Sequence, residues 1–158
     1  MSEKIECSEL FCSVLGLFAI ILGLANIMVW VGLYQNIEIG ILSIGGEDFF
    51  RWAWGSCIVI TGGILMLTGA KKITTLHQFV KVLCGAGLIW IVGGTDLFAI
   101  ICGNIPAGED SLAYFNSFSG FIEAFAPPYS PAIILLPFTF VMIYLAYRKT
   151  GYESAHTT

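Results

Sequence analysis

The chain has 158 residues, 57% of them hydrophobic and 11% charged, with a net charge of −4 and a mean hydropathy of +0.85. That balance excludes an ordinary soluble domain of this size, and the length suits a single domain over residues 1–158. The charged side chains also avoid the long apolar runs almost completely.

The first nine residues carry Glu3, Glu6 and Glu9 against Lys4, so they lack the basic start of a signal peptide. The apolar run that follows is longer than a signal core, which predicts a retained helix. A membrane-spanning helix needs about 20 apolar residues, because the hydrocarbon layer is about 30 Å thick. Four runs meet or approach this length: about 10–34, 50–70, 79–102 and 131–147. Arg51, Trp52 and Trp54 lead into the second run. Tyr129 precedes the fourth, and Tyr147 and Arg148 close it, as interface anchors do. The predicted fold class is an all-α membrane protein, a bundle of four transmembrane helices.

Loop charges predict the orientation. Lys4, Lys71, Lys72, Lys81, Arg148 and Lys149 fall on one side, whereas Glu38, Glu47, Asp48, Glu109, Asp110 and Glu123 fall on the other with Arg51 as their one basic neighbour. Positive loops stay in the cytoplasm, so both termini are expected there, with the protein integral to the cell membrane. The third loop is long. Within it Leu112, Phe115, Phe118, Ile122 and Phe125 recur at helical spacing, predicting an amphipathic interfacial or re-entrant helix over about 111–126.

Small residues recur every seven positions: Gly16 and Gly23; Gly55, Gly62 and Gly69; Ala86 and Gly93, with Gly87 and Gly94 beside them. In lipid, small residues let helix backbones approach, so helices one to three are expected to pack tightly. The fourth apolar run has no glycine and is expected at the periphery.

Asp96 is the one carboxylate well inside an apolar run. An ionised group there costs at least roughly 2.5–3.5 kcal/mol on insertion scales, so it needs a partner, a proton or an inward face. At a rise of about 1.5 Å per residue, Asp96, Asn26 and Ser56 fall at similar depths, with Arg51 about one turn nearer the outer surface. Asn26, Ser56, Thr95, Asp96 and Arg51 therefore form a candidate intramembrane polar site. Two readings stand: an Asp96–Arg51 pair that pins helices together, or a proton or solute site open to the outside.

The five cysteines form no CxxC pair and mostly sit in or beside apolar runs, where Cys acts as a small hydrophobe. His77 and His156 lie in polar segments. No cofactor, metal or disulfide framework is expected, and no nucleotide loop, nucleophile elbow or zinc pattern is present.

The stretch Gly62-Gly63-Ile-Leu-Met-Leu-Thr-Gly69-Ala-Lys71-Lys72, then Thr74-Thr75-Leu-His-Gln-Phe79 and Gly85-Ala-Gly-Leu-Ile-Trp90, resembles the acetate/succinate-type small-carboxylate permeases. Leu15-Gly16-Leu17 and Gly103-Asn104-Ile105 add to the likeness. The family's Asn-Pro-Ala-Pro motif is replaced here by Phe11-Cys12-Ser13-Val14, and its six helices stand against four. The resemblance implies an oligomeric, proton-coupled transporter of a small monocarboxylate.

The functional expectation is a small-solute or ion transporter or channel. The alternative is a non-catalytic membrane subunit or assembly factor of a larger complex. Enzymatic activity is not expected. Expected partners are the lipid bilayer and either further copies of the chain or other membrane subunits, with no nucleic acid.

Overall fold

The computed structural model describes residues 2–46, 48–73, 75–103, 119, 122–123 and 125–154, with side-chain surroundings for 8–46, 48–73, 75–102, 119, 122–123 and 125–144. The chain is mostly helical: α1 is Ser2–Trp30, α2 Gly55–Ala70, α3 Leu76–Gly103 and α4 Pro131–Ser154. A π-helical turn, Phe49–Trp54, leads into α2, and a two-stranded antiparallel hairpin, β1 (Ile37–Ile39) and β2 (Leu42–Ile44), follows α1.

Three stretches are long and apolar enough to cross a membrane: Ser8–Trp30, Phe49–Ala70 and Leu76–Cys102. The described apolar part of the fourth, Pro131–Tyr144, is shorter. The amphipathic segment expected over 111–126 lies largely outside the described residues.

The helices close a ring, α1 on α2, α2 on α3, α3 on α4 and α4 back on α1. On α1, Cys12, Leu15, Ala19, Gly23 and Asn26 face inward at intervals of three and four, while Leu10, Val14, Leu17, Phe18, Ile21 and Leu24 face outward. Small and polar side chains inside with large apolar ones outside is the reverse of a water-soluble bundle. It is compatible with a membrane location.

Glycines set how closely the helices approach. A Cβ on Gly16 would fall 2.8 Å from Gly63 O, and one on Gly63 would fall 2.7 Å from Gly16 O, so α1 and α2 touch backbone to backbone. Gly62 meets Gly85 O in the same way across α2 and α3, at 2.7 Å. Gly23 lies against Ile60 and Ser56 O, Gly69 against Gln78 O and Val82, Gly55 against Val92, and Gly93 against Leu136 and Ala132 O. Gly94, expected in a seam, has nothing within 4 Å of its missing Cβ, and neither has Gly87. The reason is angular: adjacent helical residues point about 100° apart, so Gly93 takes the seam and Gly94 faces outward.

Helix α4 is not peripheral, contrary to the expectation from its lack of glycine. Ala132, Leu135, Thr139 and Met142 form an inward stripe, and Thr139 and Met142 are fully buried. Trp90 of α3 donates its indole N–H to Thr139 Oγ1 at 2.8 Å and stacks on Phe140 with ring centroids 4.7 Å apart. Aromatic and hydroxyl side chains thus join this pair alongside the close approach at Gly93.

The hairpin is a tertiary feature absent from the sequence-based reading. Gly40 holds φ +58 at the first position of the two-residue turn, which an L side chain resists. Beyond β2, Ser43 N donates to Tyr129 O at 2.9 Å and Tyr129 N donates to Ile41 O at 2.8 Å. Tyr129, just before α4, thereby extends the hairpin along its second edge.

Candidate functional site

Among the described residues, four buried polar side chains, Asn26, Ser56, Asp96 and Ser130, gather at the hairpin end of the bundle, while Ser8 and Thr139 lie apart from them. Asp48 caps the π-helical turn by accepting from Arg51 N at 3.0 Å. At the far end of that turn Gly55 N donates to Phe50 O, an i to i+5 bond that widens the helix where bulky aromatics crowd. The turn leaves Trp52 and Ala53 buried and Phe50 and Trp54 exposed.

From this turn Arg51 reaches α3, where its Nε lies 3.2 Å from Asp96 Oδ1. The guanidinium also sits 5.1 Å from the Trp52 ring centroid. The second carboxylate oxygen of Asp96, Oδ2, accepts a hydrogen bond from Ser130 Oγ. Ser130 is positioned from two sides. It precedes Pro131, which opens α4 as prolines do at a first helical position. It also follows Tyr129, which the hairpin holds through its backbone.

A second polar chain runs beside the first. Asn26 of α1 donates from Nδ2 to Ser56 Oγ of α2 at 2.8 Å, and its Oδ1 accepts from Gly45 N at 2.9 Å. Ser56 Oγ donates in turn to Trp52 O. Gly45 holds φ +107 and sits tight against Val29, so the chain leaving β2 turns sharply onto α1.

Of the five residues in the sequence-derived site, Asn26, Ser56, Asp96 and Arg51 are brought together. Thr95 is not. It is exposed and donates to Val92 O of its own helix at 2.8 Å. Mid-helix hydroxyls commonly return to the preceding turn in this way. Ser130 was missed, although a serine directly before a proline that opens a helix marks a capping position whose hydroxyl is free to reach sideways.

Between the two polar chains lies a small cavity whose wall includes Asn26, Arg51, Gly55, Ser56, Asp96 and Ser130. It gives the centre of a water molecule about 10 Å³ of room. Among the described residues, no group of three or more His, Cys, Asp or Glu side chains is placed to hold a metal ion.

The arrangement ties α1, the hairpin end, the π-helical turn, α2, α3 and the start of α4 into one clasp. Fold and site together define a helical bundle compatible with a membrane location, with a polar clasp at one end. Comparison of the chain with protein-family models, with curated proteins and with solved structures found no match.

Proposed function

We propose that the chain is a non-catalytic membrane subunit or assembly factor, with four spanning helices, both termini in the cytoplasm and the hairpin outside. The observation that carries this reading is the way Asp96 is held by the protein. Each carboxylate oxygen has a protein partner, the residue is buried, and the adjoining cavity has room for about one water. A carboxylate so held acts as a fastener between helices. Supporting this reading further, the outward face of α3 carries Gly87 and Gly94, spaced as in the internal seams but open at the surface of the single chain. A neighbouring subunit's helix approaches most closely at such positions.

A second reading keeps the cluster as a site for a small solute or ion, including the proton-coupled monocarboxylate transport that the permease resemblance implies. Arg51 favours it, because its side chain is 39% exposed and connects Asp96 with the hairpin end.

One pair of measurements separates the two. The subunit reading expects flux of small carboxylates and monovalent ions into proteoliposomes to equal that of empty vesicles. It also expects the chain, extracted in mild detergent, to migrate in an assembly larger than one 17.2 kDa copy, and Gly94→Leu to release it. Flux well above empty vesicles, lost in Asp96→Asn, overturns the subunit reading and establishes the transporter.

A further inference from the structure

We propose that the cavity of the clasp is a built site for one ordered water molecule, which joins the two polar chains into a single network. The inference rests on the reading of the Asp96 cluster as a fastener.

The cavity has the size and the lining that such a water requires. A water needs roughly 10–15 Å³ for its centre and two to four polar partners, whereas cavities that stay empty are lined by apolar groups. This cavity provides about 10 Å³, the lower end of that range, and presents Asn26, Arg51, Ser56, Asp96 and Ser130 in a wall otherwise apolar, with Val59, Val92 and Ala132 among it.

Hydrogen-bonding capacity is left over on both sides. Asn26 Nδ2 has two protons and spends one on Ser56. Arg51 approaches Asp96 through Nε, which leaves its terminal N–H groups, and each Asp96 oxygen has a lone pair beyond its protein partner. No direct hydrogen bond joins the Asn26–Ser56 pair to the Arg51–Asp96–Ser130 group among the described residues. A water between them donates to Asp96 and accepts from Asn26.

The chemistry also selects water over a metal cation. Arg51 already supplies the positive charge that Asp96 needs, so a second cation would face repulsion at close range. A bridging water adds hydrogen bonds without adding charge.

Gly55 provides the test, because it forms part of the wall. A Cβ there meets only Val92 Cγ1 at 3.3 Å and Phe50 O at 3.6 Å. Gly55→Ala therefore takes volume from the water without a backbone clash. Helix propensity alone favours alanine, and filling a dry void does so too. If the water is present, Gly55→Ala falls roughly 2–4 °C short of the Tm gain in detergent that helix propensity alone gives, the scale expected for losing one bridging contact in a chain of this size. The shortfall persists in a Val92→Ala background, which removes the one tight side-chain contact. In the parent protein the Asn26 side-chain amide shows NMR cross-relaxation with a long-lived water, and Gly55→Ala abolishes it.

A Tm gain as large as helix propensity alone gives, a shortfall that vanishes with Val92→Ala, or a parent amide with no water cross-peak would each overturn the proposal. The fastener itself is read separately, by the stability lost in Arg51→Leu.

Discussion

Arg51 and Asp96 form an ion pair whose two ends lie in different surroundings: the Asp96 side chain is 8% exposed and the Arg51 side chain 39%. Removing either partner therefore has unequal consequences. Arg51→Leu strands a buried carboxylate that keeps only Ser130, and such stranding costs about 3 kcal/mol. Asp96→Asn leaves an arginine that is already partly exposed, and the amide can still accept from Ser130, so about 1 kcal/mol is lost. The double variant Arg51→Leu/Asp96→Asn is expected to be more stable than Arg51→Leu alone. Thermal unfolding in detergent measures all three, and a double variant no better than Arg51→Leu would show that the pair is not the fastener.

Asn26 serves two elements at once, since its carbonyl holds Gly45 N and its amide holds Ser56. Asn26→Leu keeps the volume but leaves the Gly45 N–H without its partner. The expected loss is about 2 kcal/mol, because an unsatisfied buried donor retains its desolvation penalty. Hydrogen exchange at Gly45 should accelerate more than exchange at Gly62 in the middle of α2. Equal acceleration would mean that the hairpin end does not depend on this contact.

The glycines divide into two groups with opposite expected responses. Gly85→Ala drives a methyl to 2.5 Å from Gly62 O and should lose about 1–3 kcal/mol through forced separation of α2 and α3. Gly94→Ala meets open space within the single chain, so once the chain is stripped to a monomer in detergent it should be neutral or gain up to about 1 kcal/mol from helix propensity. Reversed signs in detergent unfolding would contradict the seam geometry.

Trp90 and Thr139 supply the hydrogen bond between α3 and α4. Thr139→Val keeps the shape and removes the acceptor. Hydrogen bonds between helices in lipid average about 0.6 kcal/mol and reach about 1.7, and the larger value is expected because Thr139 is fully buried. The Trp90 emission maximum, read in a variant with the other three tryptophans replaced by phenylalanine, should shift as the indole loses its partner.

The proposed orientation is tested at the hairpin tip, where Ile41 is exposed. Ile41→Cys should react with an impermeant maleimide applied to intact cells, above the level of the parent protein. Labelling that appears only after permeabilisation would reverse the assignment of sides.

Much of this end of the molecule follows from arithmetic on the sequence. Three long apolar runs and a rise of 1.5 Å per residue suffice to bring Asn26, Ser56 and Asp96 to one level. Rotation about the helix axis is harder to read. Thr95 and Gly94 share the depth of Asp96 and Gly93 but point elsewhere. The hairpin left a fainter trace. Ile37-Glu38-Ile39 and Leu42-Ser43-Ile44 each alternate around a glycine-containing turn, yet three residues per strand give periodicity little to work with. The role of Ser130 depends on Tyr129 pairing with a strand more than 80 positions away, and local pattern carries no record of so distant a partner.

That distant pairing has a consequence for the order of events during biogenesis. Among the described residues, Ser43 N and Ile41 O pair with Tyr129, so a nascent chain that has not yet been translated past α3 holds an unfinished hairpin edge. Closing so large a loop is entropically slow and falls after the local helices have formed. Completion of this edge therefore reports that the chain has reached the start of α4. A ribosome-stalled fragment ending before residue 129 should remain open to protease at the hairpin, where the finished protein resists.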